Sequence, residues 1–144
     1  MSEKFKAIVI DNQNENFSHD IKEISRDELK DGNVLVKVDY SSLNYKDAMI
    51  LKDGGRIVRK FPFVPGIDFS GTVVESEDGK FKKDDNVILT GFRVGEAFFG
   101  GFSQYAKVDS NFLNNLLYLF FLLLREHRSP FLIRSLPLYF QRPL

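Results

Sequence analysis

Phe61–Ser76 reads FPFVPGIDFSGTVVES, and the fold is decided there. Proline holds its own φ near about −65°, and Gly66 tolerates backbone conformations that a side chain forbids, so Pro65-Gly66 predicts a tight turn. Asp68–Val74 follows with aromatic and β-branched residues on both sides of Gly71. That pattern predicts a strand which kinks, or is closely approached by a second backbone, at the glycine.

Working outward, Asp31-Gly32-Asn33 predicts a turn, after which Val34, Val36, Val38 and Tyr40 alternate with Leu35, Lys37 and Asp39 as the two faces of a strand. Lys6–Ile10 reads as a short strand and Asp11–Asn16 as a polar turn. Phe17–Asp31 has no clean period and reads as extended chain. Asn44–Leu51 predicts one or two helical turns, stopped by Lys52-Asp53-Gly54-Gly55. Glu77-Asp78-Gly79 turns the chain again, and Asn86–Thr90 and Gln104–Val108 are the last β runs. Six β runs with little helix predict a mainly β barrel or sandwich, and nothing up to Leu113 has the pattern of a βαβ unit.

Twenty basic residues balance twenty acidic ones, so no overall field points to nucleic acid or an anionic membrane. There is no cysteine, and His19 and His127 are the only histidines. Disulfides, thiolate zinc sites and a cysteine nucleophile are therefore excluded, and no metal cluster is expected. The mixed-charge start MSEKFKAIVI does not read as a signal peptide, which predicts a cytoplasmic protein.

Composition changes after residue 113. Asn114–Leu144 holds ten Leu, four Arg, no Lys and no Gly, whereas residues 1–113 hold twelve Lys, all ten Gly and six Leu. Leu116–Leu124 is nine consecutive apolar residues, against the roughly 20 that a membrane span needs. Pro137 and Arg134 break the apolar stretch Pro130–Phe140. A domain over 1–113 is expected, followed by an unrelated Leu/Arg-rich tail over 114–144 that reads as an out-of-frame ending. The alternative is an ending that buries its leucines against the barrel or a partner. Either way its exposed Leu-Phe runs are an association hazard.

Candidate chemistry sits at Ser41–Ala48, SSLNYKDA, where a strand end passes into the short helix. Read from the residues alone, Asn44 caps the helix, Tyr45 packs, and Asp47 is a solvated first-turn acid. A second set of blocks changes the weighting: PFVPGIDFSGTVVES, FKKDDNVILTG and RVGEAFFGGFSQYAKV follow SSLNYKDA in order. Together they resemble the zinc-free, quinone oxidoreductase-like branch of the medium-chain dehydrogenase/reductase family, and within it the acrylyl-CoA reductase (NADPH) group. The resemblance covers roughly residues 5–113 and implies a GroES-like, partly open β-barrel with one or two short helices, truncated before the Rossmann domain. Zinc-dependent members carry Cys where Asn44 stands, and Gly-His-Glu where Gly66-Ile67-Asp68 stands, so no zinc is implied.

What the resemblance implies is a reductase passing a hydride from NADPH to the β-carbon of an activated double bond in a small-molecule substrate, a CoA ester, enone or quinone. Tyr45 is implied as a cofactor contact and a hydrogen-bond donor to a carbonyl or ribose oxygen, Asp47 as an orienting carboxylate, and Asn44 as a polar neighbour of the cofactor. Arg56 and Arg59 are candidates for attracting an anionic substrate, with solvated loop charges as the alternative. Gly91, Gly95, Gly100 and Gly101 lack G-x-G-x-x-G spacing and read as a flexible loop bordering substrate, not as a phosphate cradle. Asp84 stands where the family usually has Gly, and Asp tolerates the left-handed turn such a position needs. Without a dinucleotide-binding domain, catalysis by the chain alone is not expected.

Overall fold

The computed structural model describes residues 3–13 and 16–117. Expectations for the Leu/Arg-rich stretch past Leu117, His127 included, lie outside the described residues. The elements are β1 (Lys4–Gln13), β2 (Asn16–Ser25), β3 (Val34–Ser41), α1 (Tyr45–Asp53), β4 (Asp68–Ser76), β5 (Asn86–Thr90), β6 (Tyr105–Val108) and β7 (Leu113–Asn115). β1 and β2 form a two-stranded antiparallel ribbon. The other five pair in the order β6-β3-β4-β5-β7, antiparallel at every ladder.

All five of those strands feed one buried cluster, among them Val34, Val36, Val73, Leu89, Ala106 and Leu113. A flat sheet cannot bring its outer strands to a common core, so the sheet curves around these residues. No described ladder joins β6 to β7, which end the order, and the barrel is therefore open at that seam. Burying each large aliphatic side chain here stabilises by about 1.5–3 kcal/mol. The ribbon supplies a second cluster of Phe5, Ala7, Val9 and Ile24 with Leu29, Leu35 and Val64. Helix α1 is fixed by a third, in which Ile50 meets Ile10, Val58 and Phe63. Among the described residues no helix is long and apolar enough to cross a membrane.

The opening stretch behaves as its residues require. Gly66 has φ 107°, and a Cβ there would strike the backbone nitrogens of Gly101 and Phe102. At Gly71 a Cβ would strike the carbonyl of Lys37, beside the register shift between Val38 and Tyr40, so β3 does cross closely at the glycine. Asp84, at φ 72°, takes the left-handed conformation expected of it.

Two expectations are corrected and one is sharpened. The polar residues Asp11–Gln13 continue β1 and do not turn, because the ribbon is exposed along most of β2 and needs no apolar alternation. The extended reading of Phe17–Asp31 resolves into β2 followed by a 3-10 turn at Arg26–Glu28. A seventh strand, β7, pairs Leu113 with Leu89 and Asn115 with Val87, so β pairing continues past the point where the composition changes.

Candidate functional site

Helix α1 starts at Tyr45 because Asn44, with φ −103° and ψ 164°, keeps an extended backbone in front of it, and it ends at Gly54 in the left-handed conformation. Asp47 at the third helical position accepts the Asn44 backbone N–H at 2.9 Å through Oδ2. Its Oδ1 accepts the backbone N–H of Ile67 at 3.0 Å. The helix start is thereby tied to the turn that follows Pro65-Gly66.

The Asn44 side chain extends this tie into a network. Its Nδ2 lies 3.1 Å from Asp68 Oδ2, 3.3 Å from Asp47 Oδ2 and 3.1 Å from Ser42 Oγ. The Ser42 hydroxyl faces the same Asp68 oxygen at 3.4 Å, and Asp68 Oδ1 accepts the Gly91 N–H at 3.2 Å. One neutral amide thus donates between two carboxylates. Asp47 is 0% exposed, and burial holds its carboxyl above the ordinary value of 3.8, with the nearby Asp68 charge acting in the same direction. Its hydrogen bonds from Asn44 and Ile67 offset part of that rise.

Sequence reasoning placed Asn44 correctly as the cap, and the structure corrects its two neighbours. Asp47 is not a solvated first-turn acid, since the turn at Pro65–Asp68 folds over it. Tyr45 does not pack: it is 83% exposed and presents its ring to solvent at the head of α1. Asp68 was missed as a member of this network, although its place in the Gly66-Ile67-Asp68 block was a signal for it. Arg56 and Arg59 are exposed beyond the opposite end of α1, about 13 Å of helix away from Tyr45, and the structure does not bring them into the network.

Gly95, Gly100 and Gly101 do not form the flexible loop expected of them. All three are buried, and Gly101 and Phe102 donate their N–H groups to the carbonyls of Gly66 and Pro65 at 2.8 and 2.9 Å. They lock the turn backbone to backbone. The loop is also fastened to α1 by the Lys46–Glu96 ion pair at 2.8 Å. Next to the strand end at Ser41 lies a groove of about 500 Å³, reached by Lys6, Tyr40, Phe102 and Gln104. Among the described residues no group of three or more His, Cys, Asp or Glu is placed to hold a metal ion.

Residues 30–117 match the family model of the alcohol dehydrogenase GroES-like domain. An acrylyl-CoA reductase from Ruegeria pomeroyi is 48% identical over 111 residues, a match covering 76% of this chain and 34% of that protein. A putative quinone oxidoreductase from Bacillus subtilis is 42% identical over 113 residues, 78% of this chain and 34% of that one. The crystal structure of an oxidoreductase from Salmonella enterica in complex with NADP superposes with a TM-score of 0.73 at 41% identity, covering 77% of this chain and 34% of the other. The chain therefore spans about a third of the length of the curated relatives it matches.

Proposed function

This chain belongs to the alcohol dehydrogenase GroES-like domain family, and from that premise we propose that it forms the catalytic side of a zinc-independent, NADPH-dependent oxidoreductase acting on an activated carbon–carbon double bond. The observation that carries the reading is the Asn44–Asp47–Asp68 network with exposed Tyr45 at its edge. The Asn44 NH₂ group turned toward both carboxylates offers a metal no lone pair and occupies oxygens a cation would use, which supports metal independence. The similarity to an acrylyl-CoA reductase, a quinone oxidoreductase and an NADP-bound oxidoreductase supports the cofactor and the substrate class of acrylyl-CoA, enone or quinone type.

The residues fit one end of the cofactor. Tyr45 offers an exposed flat ring and a hydroxyl able to donate to a carboxamide or ribose oxygen. They do not fit the pyrophosphate, which takes the N–H groups of a glycine-rich turn at a helix start in a βαβ unit. Every described ladder is antiparallel, and the N–H groups of Gly91, Gly95, Gly100 and Gly101 already donate within the protein, to Asp68, Phe98, Val64 and Gly66. The 144-residue chain alone is therefore expected to show no turnover.

NADPH, when bound, supplies the hydride for the β-carbon of the substrate. The chain's part is positional and electrostatic. Asp47 holds the Tyr45 helix start to the Ile67 turn, Asn44 keeps the two carboxylates from repelling that wall apart, and Tyr45 donates toward oxygen at the open face. Placing residues 1–117 in front of the remaining two-thirds of a relative tests this. The chimera is expected to oxidise NADPH with acrylyl-CoA in the presence of a chelator, and a folded, NADPH-binding chimera without turnover would overturn the reading.

Exposed Leu116 and Leu117 favour a second reading, a non-catalytic barrel that associates through the segment they begin. Size-exclusion chromatography with and without residues 118–144 separates the two. We also read 114–144 as a segment of different origin, which the other two frames of the coding DNA past Leu113 would test by encoding, or not, a glycine-rich dinucleotide fingerprint.

A further inference from the structure

The cations that the candidate site leaves out are grouped at the far end of α1. Lys52, Arg56, Arg59 and Lys60 are all exposed, and Asp53 is the one acid between Asp47 and Asp68, so residues 52–60 carry four cations against one anion. Among the described residues none of the four lies within ion-pair distance of a carboxylate. The helix dipole accounts for Lys52, which stands in the last turn, but its pull fades within that turn and leaves the other three unexplained. Nor does the backbone ask for an arginine at 56. Its φ of 53° suits Gly or Asn better, and the turn is held by the Ile57 and Val58 N–H groups on the Gly54 carbonyl, at 3.0 and 3.2 Å.

Two aromatic rings stand among these cations. A Cβ on Gly54 would lie 3.2 Å from the Phe61 ring and 3.6 Å from the Phe17 ring, so both rings cover the helix end itself. They meet edge to face, with centroids 6.4 Å apart and planes at 81°. Inward they pack on the cluster of Ile10, Ile50, Val58 and Phe63, and both are only half-buried, so ring surface remains outside. Each cation is within two residues of Gly54 or Phe61, which limits its Cα to about 7.6 Å from the Cα of that residue. The geometry points to a nucleoside phosphate site at this end of α1, in which the base stacks on Phe17 and Phe61 and the phosphates lie on Arg56, Arg59 and Lys60. Aromatic rings accept the flat face of any base, and guanidinium groups clamp phosphate oxygens two at a time. A nucleic acid strand does not fit, because the chain as a whole has no excess charge to hold a polyanion. Two carriers present this chemistry, a free nucleotide and the nucleotide end of coenzyme A. Only the second rests on the reading of the site as a double-bond reductase, with the arm of the ligand running along about 13 Å of helix toward Tyr45.

The test uses NMR on the uniformly labelled 144-residue chain, titrated separately with adenosine 3′,5′-bisphosphate, ADP, coenzyme A and inorganic phosphate. Expected are amide shifts centred on Gly54 and on Arg59–Phe61, cross-relaxation between the adenine protons and the Phe17 or Phe61 ring, and binding of the bisphosphate at least tenfold tighter than that of inorganic phosphate. Arg59→Gln combined with Lys60→Gln, both at exposed positions, should weaken every one of these ligands at least tenfold. Phe17→Leu keeps an apolar cover over the cluster beneath, and should weaken the nucleotides while leaving inorganic phosphate unchanged. Coenzyme A binding tighter than ADP, with shifts running along α1 to Tyr45, supports the site with the coenzyme as carrier, and equal or weaker binding of coenzyme A supports it with a free nucleotide as carrier. Inorganic phosphate bound as tightly as the nucleotides would show a bare patch of charge and overturn the site. So would affinities unchanged in the double variant, shifts confined to Tyr45 or to the Lys6–Gln104 groove, or no binding in the millimolar range. Because the experiment needs no turnover, a failed nucleotide site leaves the chimera result untouched, and an inactive chimera leaves the nucleotide result untouched.

Discussion

Replacing Asp47 probes the tie between the helix start and the Pro65–Asp68 turn. The carboxylate is fully buried and accepts backbone N–H groups from Asn44 and Ile67 at 2.9 and 3.0 Å. Asp47→Ala orphans both donors, and an unsatisfied buried donor costs about 1–3 kcal/mol, so a loss of about 2–6 kcal/mol is expected. Asp47→Asn keeps the volume but has one carbonyl oxygen, so its NH₂ must face one of the two N–H groups. Its expected cost is about 2–3 kcal/mol on the same scale. Equilibrium urea unfolding measures both, and amide exchange at Ile67 reports the broken bond locally. Asp47→Ala with wild-type stability, or an Ile67 amide that stays protected in it, would refute the assignment.

The same carboxylate predicts a pH dependence. Burial, and then the Asp68 charge, raise its pKa in the folded state above 3.8, so the folded protein takes up this proton before the unfolded chain does. The stability it contributes is complete below 3.8 and is lost as pH rises through the raised folded value. The deficit of Asp47→Asn relative to wild type is therefore expected to shrink across that window, and a deficit that grows with pH would contradict the sign. Gly66→Ala is expected to prevent folding, because φ is positive and backbone blocks the Cβ, while Gly91→Ala, with positive φ but nothing within 4 Å, should cost only about 1–2 kcal/mol of left-handed strain; thermal melts of the two variants check the contrast. Tyr45→Ala, at 83% exposure, should leave stability within about 0.5 kcal/mol while raising the KM for NADPH in the chimera. Breaking the Lys46–Glu96 pair with Glu96→Gln should cost about 0.2–1 kcal/mol and cost less in high salt, as urea titrations at two ionic strengths would show.

Local chemistry was legible where a backbone conformation demanded it. Pro65-Gly66, Gly71, the Asn44 cap and Asp84 all behave as their residue types require, and the alternation in Val34–Tyr40 gave β3. Features set by distant chain were not legible. Asp47 has the sequence context of a solvated helix acid, and only the packing of Ile67, twenty residues on, buries it. The glycines at 95, 100 and 101 look loose in sequence and are buried because they dock on the Gly66 turn and the Phe69 ring beside it. β7 escaped notice because two asparagines follow Leu113, and its pairing comes from the exposed edge of β5.

The central claim, a hydride-transferring reductase face built without metal, is tested most directly by following the hydride. NADPH deuterated at the transferring position is supplied to the chimera with acrylyl-CoA, and the acyl product is analysed by NMR. The account predicts a single deuterium on the β-carbon, unchanged by chelator. Reduced product with deuterium at neither carbon, deuterium on the α-carbon alone, or activity abolished by chelator and restored by zinc would contradict it.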